Sequence, residues 1–113
     1  MPWYFDPHSG GLEIPPKVQE ETRERILKHA RKTTPEKASR IRIRFKGCFC
    51  YIDAEEEDGT GLSHLCRLRY KGLSGWSLAF YTYSYDRYEA CVFGNGKFLG
   101  SPEDGFEVGA VYL

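Results

Sequence analysis

The sequence predicts an α+β domain: one long N-terminal helix packed on a strongly curved, four- to five-stranded antiparallel sheet, with a short C-terminal helix. Three observations carry this. Residues 40–46, Arg-Ile-Arg-Ile-Arg-Phe-Lys, alternate with a period of two, as a half-buried strand does. Aromatic residues are 15% of the chain, with eight Tyr and seven Phe, and flat rings suit a pleated surface. Residues 15–32 instead place Val18, Thr22, Ile26 with Leu27, and Ala30 at helical spacing.

The helix is expected from Pro15-Pro16 to about Lys32. Proline suits a first turn, where its missing N–H has no helical partner. Lys28, Arg31 and Lys32 lie towards the negative end of the helix dipole. Thr33-Thr34-Pro35 ends it, because the residue before proline avoids helical backbone. The apolar stripe is thin, so this helix covers one face of a sheet. Before it, residues 1–14 read as an irregular arm, with a turn at Asp6-Pro7-His8-Ser9-Gly10-Gly11. Trp3, Tyr4 and Phe5 are apolar enough to dock, and Leu12 or Ile14 is expected to staple onto the first turns. Residues 15–113 form a single domain.

The remainder reads as strands. Residues 40–54 form either one long strand bent at Lys46-Gly47 or a hairpin pivoting there, and the bent strand is favoured because Lys-Gly fits neither favoured two-residue hairpin turn. Residues 55–61 form an acidic loop, and strands follow at 64–71, 76–85 and 88–93. The turn Gly72-Leu73-Ser74-Gly75 separates the first two of these. Gly94-Asn95-Gly96 signals a hairpin into a short strand at 97–99. Ser101-Pro102-Glu103-Asp104 reads as an N-cap, a proline and first-turn acids of the short helix. Short connections make a meander the simplest topology.

Arg44-Phe45-Lys46-Gly47 leading into Tyr51-Ile52-Asp53-Ala54 is a first signature; Leu65 to Tyr70 followed by Trp76 to Tyr81 is a second. Tyr88-Glu89, Gly100 to Phe106 and the terminal Tyr112-Leu113 form a third. Over roughly residues 40–113 the chain resembles a family of small uncharacterised bacterial proteins, conserved hypothetical proteins with no assigned function. The acidic loop is shorter than in those relatives. The resemblance implies a bacterial origin and one folding unit, and carries over no catalytic or binding role.

Composition excludes several classes. The formal net charge is zero, against a strongly basic nucleic-acid binder. No apolar run approaches the ~20 residues of a membrane span, and the N-terminus lacks a basic start before an apolar stretch, so the expected location is cytoplasmic. Four cysteines, at 48, 50, 66 and 91, are few for a disulfide scaffold and read as buried thiols. Cys48-x-Cys50 on a strand is a poor chelate bite for zinc, and no metal or other cofactor is expected.

Strand alternation places Arg40, Arg42, Arg44 and Lys46 on one face, and Arg67, Arg69 and Lys71 on one face of the next strand. Tyr81, Tyr83 and Tyr85 would lie beside them, while Ile41, Ile43, Phe45, Leu68, Trp76 and Phe80 build the core under the helix. Arg40, Arg42, Arg44, Arg67, Arg69, Tyr81 and Tyr83 are therefore the candidate binding residues. Such a face can stack bases and hold phosphates, or be covered by protein. A third reading is a small enzyme using Cys50, His64 or Asp53 in a cleft, but no G-x-S-x-G, HExxH or P-loop motif is present. The sequence favours a non-catalytic binding or protein-interaction module, with self-association possible and nucleic acid as the alternative partner.

Overall fold

The computed structural model describes residues 11–72, 75–94, 96–111 and 113. Most of the expected arm, including Trp3, Tyr4, Phe5, His8 and Ser9, lies outside the described residues, as do Leu73, Ser74, Asn95 and Tyr112. Helix α1 spans Pro16–Thr33 and α2 spans Pro102–Ala110. Between them run β1 (Ile41–Lys46), β2 (Phe49–Glu55), β3 (Leu62–Tyr70), β4 (Trp76–Thr82), β5 (Arg87–Cys91) and β6 (Leu99–Gly100). The antiparallel order β1-β2-β3-β4-β5 is the expected meander, and β6 pairs with β4 beyond the end of β5. No helix among the described residues is long and apolar enough to cross a membrane.

The bent strand is corrected to a hairpin. Lys46 pairs with Phe49, so the two loop residues are Gly47 and Cys48, not Lys46 and Gly47. Gly47 takes the first loop position at φ +60°, the conformation a tight hairpin turn with glycine first demands. Shifting the loop by one residue turns an unfavourable pair into a favoured one.

Paired residues share a face. Ile41, Ile43, Cys50, Ile52, Ala54, Cys66, Leu68, Trp76 and Leu78 therefore form one apolar surface, all buried. Phe45 packs against this core only partly buried, and Phe80 is half-exposed. Helix α1 contributes Thr22, Ile26 and Ala30, one residue per turn, which confirms a thin contact stripe. Helix α2 sits closer to the sheet. A Cβ on Gly105 would lie 2.5 Å from Leu68 Cδ2, and one on Gly109 would lie 3.1 Å from Leu65 Cβ. Two glycines four residues apart thus let α2 rest directly on β3. Ser101 caps α2 by accepting a hydrogen bond from the Asp104 N–H at 3.1 Å.

The helices are braced at two successive turns. Arg25 donates to both Glu103 carboxylate oxygens, at 3.0 and 2.8 Å, and His29 Nε2 lies 2.9 Å from Glu107. The C-terminal part of the arm is fixed to the strands. Ile14 is buried, its N–H donating to Gly47 O at 3.0 Å, and the Leu12 N–H donates to Tyr70 O at 2.9 Å.

Candidate functional site on the outer face of the sheet

The face turned away from the helices carries Arg42, Arg44 and Lys46 from β1, and Phe49, Tyr51 and Asp53 from β2. Strand β3 adds His64, Arg67 and Arg69. Strand β4 adds Ala79 and Tyr81, with Tyr88 opposite Tyr81 on β5. Five of the seven expected binding residues therefore share this face within strands. Arg40 belongs instead to a 3₁₀ turn, Ala38–Arg40, and Tyr83 to the turn after β4.

One feature of β3 decides the composition of this face. Ile52 pairs with Cys66 but Asp53 pairs with His64, so Leu65 is an extra residue in a β-bulge. Strict alternation from Cys66 would send His64 to the core and Leu65 outward. The bulge reverses both: Leu65 is buried under α2, and His64 joins Asp53. The one sign of this slip in residues 64–71 is the consecutive apolar pair Leu65-Cys66, which breaks the period of two.

Asp53 is the centre of the face. Its carboxylate is buried, and such a group needs partners that favour its charge. His64 Nδ1 lies 2.9 Å from one oxygen and Arg44 Nε donates to the other at 3.2 Å. A neutral imidazole held this way carries its proton on Nδ1; the His64 side chain is 31% exposed.

The aromatic residues enclose this polar centre. The Arg44 guanidinium stands 4.1 Å from the Tyr51 ring centre, and Arg67 lies between Phe49, at 4.1 Å, and Tyr88, at 4.8 Å. Tyr88 meets Tyr51 at 5.6 Å and Tyr81 at 5.1 Å, and Tyr81 meets His64 at 4.7 Å and Tyr83 at 4.8 Å. Burial, with the nearby Asp53 charge, raises the Tyr88 phenol well above its ordinary range. The hydrogen bond from Tyr81 to Asp86 raises the Tyr81 phenol to about 12. Both rings are neutral phenols at physiological pH.

The arginine row is largely engaged within the protein. Arg42 pairs with Glu55, and Arg40 lies 3.6 Å from Glu57 and donates to Glu55 O at 2.7 Å. Arg67 and Arg69 are only 7% and 4% exposed. Gly11, at φ +92°, crosses directly above Arg69: a Cβ there would lie 2.8 Å from Arg69 Cγ. Arg42, Arg44 and Lys46 remain exposed along β1, and at the far side of the sheet the exposed groups are tyrosines. Tyr83 is 63% exposed and Tyr85 69%, and Tyr83 is anchored by the His64 N–H, which donates to its hydroxyl at 2.8 Å. A groove of about 420 Å³, lined by Ser63, His64, Phe80, Tyr81 and Tyr83 among others, opens at this end.

The three candidate catalytic residues do not converge. Cys50 lies opposite Phe45 and Leu68 on the helix side, whereas His64 and Asp53 are on the outer side. Burial drives the Cys50 thiol up to about 12, Cys91 up to about 11 and Cys66 well above its usual range. A nucleophilic cysteine needs the opposite shift. All four cysteines are free thiols, and among the described residues no three His, Cys, Asp or Glu side chains are grouped to hold a metal ion. Compared with known proteins, the chain matches no family model, no curated protein and no solved structure.

Proposed function

We propose that this domain is a non-catalytic protein-interaction module whose working surface is the tyrosine end of the outer sheet face: His64, Tyr81, Tyr83, Tyr85 and Tyr88. The observation that supports it most is the exposure of Tyr83 on a groove that it lines with His64 and Tyr81, rings packed against one another, with Tyr85 exposed in the same turn. Rigid, amphipathic tyrosines supply contact area at little conformational cost, which is why they are enriched in protein interfaces. Polyanion binding is the weaker reading. A nucleic-acid surface needs cations that can reach phosphates, and here Arg67 and Arg69 are buried while Arg40, Arg42 and Arg44 are paired with carboxylates.

The test is photo-crosslinking in the native cell, with a benzophenone amino acid in place of Tyr83 or Tyr85 and, as control, of Glu20 on the exposed side of α1. Discrete protein adducts at the two tyrosine positions and none at Glu20 are expected. Equal labelling at all three, or none at the tyrosines, contradicts the reading.

A second reading rests on the Asp53–His64 contact. A buried carboxylate orienting a partly exposed imidazole is the arrangement of a general base. Its supporting observation is the 2.9 Å separation at the mouth of the groove. If His64 is such a base, H64Q and D53N abolish an activity while leaving the crosslinks at Tyr83 intact.

A further inference from the structure

We infer that two copies of this chain pair through the outer edge of β5, antiparallel and centred on Tyr88, to make one continuous sheet. This rests on the interaction-module reading and names its partner. The two edges of the sheet differ. At β1, Arg23 of α1 donates to Ile43 O at 3.1 Å and its guanidinium lies 5.3 Å from the Phe45 ring, so that edge is occupied. At β5, residues Arg87–Cys91 pair with β4 on one side, and among the described residues no other element pairs with the strand.

An open edge is a template for another strand, and proteins usually guard it with charged side chains, lysine above all, with proline or with a bulge. The sequence of β5, Arg87-Tyr88-Glu89-Ala90-Cys91, contains neither lysine nor proline, and its pairing with β4 runs without a register slip. Its charges are instead self-complementary. Arg87 and Glu89 flank Tyr88 symmetrically, so a twofold axis at Tyr88 sets Arg87 of one copy opposite Glu89 of the other, twice. Directly opposed unlike charges stabilise a strand pair, and like charges destabilise it. Within one chain Arg87 and Glu89 already meet at 3.2 Å, so the two copies would join into a four-charge cluster. On the outer face the two Tyr88 residues stand opposite each other at the axis, each ring leaning back over its own sheet against Tyr81 and Tyr51 and leaving the strand backbone open. A two-fold contact closes on itself and leaves no free β5 edge.

Sedimentation velocity over a concentration series, on the full chain, tests this with a charge swap. Wild type should dimerise reversibly. R87E sets Glu opposite Glu, and E89R sets Arg opposite Arg; each should weaken the dimer about tenfold or more. The double variant R87E/E89R should recover wild-type association, and an equimolar mixture of the two single variants should form a heterodimer. Circular dichroism of each variant checks that the fold is kept. Wild type that stays monomeric throughout overturns the inference, as does a dimer unaffected by the swap series. Neither result removes the interaction reading if Tyr83 still crosslinks to a different protein; loss of that crosslink with an intact β5 dimer would instead remove only the wider reading.

Discussion

The same five strands present two surfaces that solve the burial problem in opposite ways. The helix side is closed by apolar contact: Ile26, Ala30 and Phe106 cover Ile52, Leu68 and their neighbours, and its cysteines behave as small hydrophobes. The outer side buries a carboxylate and two arginines, using ring faces and ion pairs in place of a second helix. The difference teaches that an arginine-rich strand face need not be an anion site. When tyrosine and phenylalanine stand on the neighbouring strands, the guanidinium groups stack on them: Arg67 is buried between Phe49 and Tyr88, whereas Arg44 lies over Tyr51 and keeps about half its side chain in solvent.

The largest test of this contrast is on the helix side. Phe106→Ala removes a fully buried ring, and chemical denaturation should show a loss of about 3–5 kcal/mol. On the outer side, Asp53→Ala leaves Arg44 and His64 without their shared counter-charge. Because both are partly exposed and can rehydrate, the loss should be nearer about 2 kcal/mol, and Asp53→Asn, which keeps an acceptor, should lose less.

The two sides also separate by pH. The Cys50 thiol is raised in the folded state to about 12 against an ordinary value of 9.0. Below pH 9 both states hold the proton and there is no effect. Above it the unfolded chain releases the proton first, so stability falls as pH rises towards the folded value. Urea midpoints at pH 8 and pH 10 should show a decline about 1 kcal/mol smaller in Cys50→Ala than in wild type. An equal decline in both would place the alkaline sensitivity elsewhere. The smallest effect belongs to Arg67→Met, which keeps the apolar stem between Phe49 and Tyr88 but removes the cation. It should cost about 1 kcal/mol, with Arg67→Ala costing more because the stem is lost too.

Much of this architecture was legible in the chain. Period-two alternation gave the two-faced sheet, the short connections gave the strand order, and Ser101-Pro102 marked the start of α2 at Pro102. The β1–β2 hairpin was misread because the loop was centred one residue early. The Asp53–His64 pair was hidden by the bulge at Leu65, which inverts the face of every residue before it in β3. A bulge shows only as a break in phase, here the adjacent apolar pair Leu65-Cys66, which a reading of residues 64–71 as one unbroken alternation passes over. Engagement of the arginine row was equally out of reach, since it depends on which ring lies beside which guanidinium across strands that are distant in sequence. Tyr81 followed directly from alternation along β4, whereas Tyr83, expected in the same strand, lies in the turn that ends it at Thr82.

The central claim is that the arginines of the outer face are paired with carboxylates or stacked on rings within that face, so that its tyrosines are the contact groups. Fluorescence anisotropy of a labelled single-stranded RNA, titrated with the protein at low and at physiological salt, tests it most directly. No saturable binding at either salt is the result expected. Saturable binding that steepens as salt is lowered and disappears in R42A/R44A would contradict it.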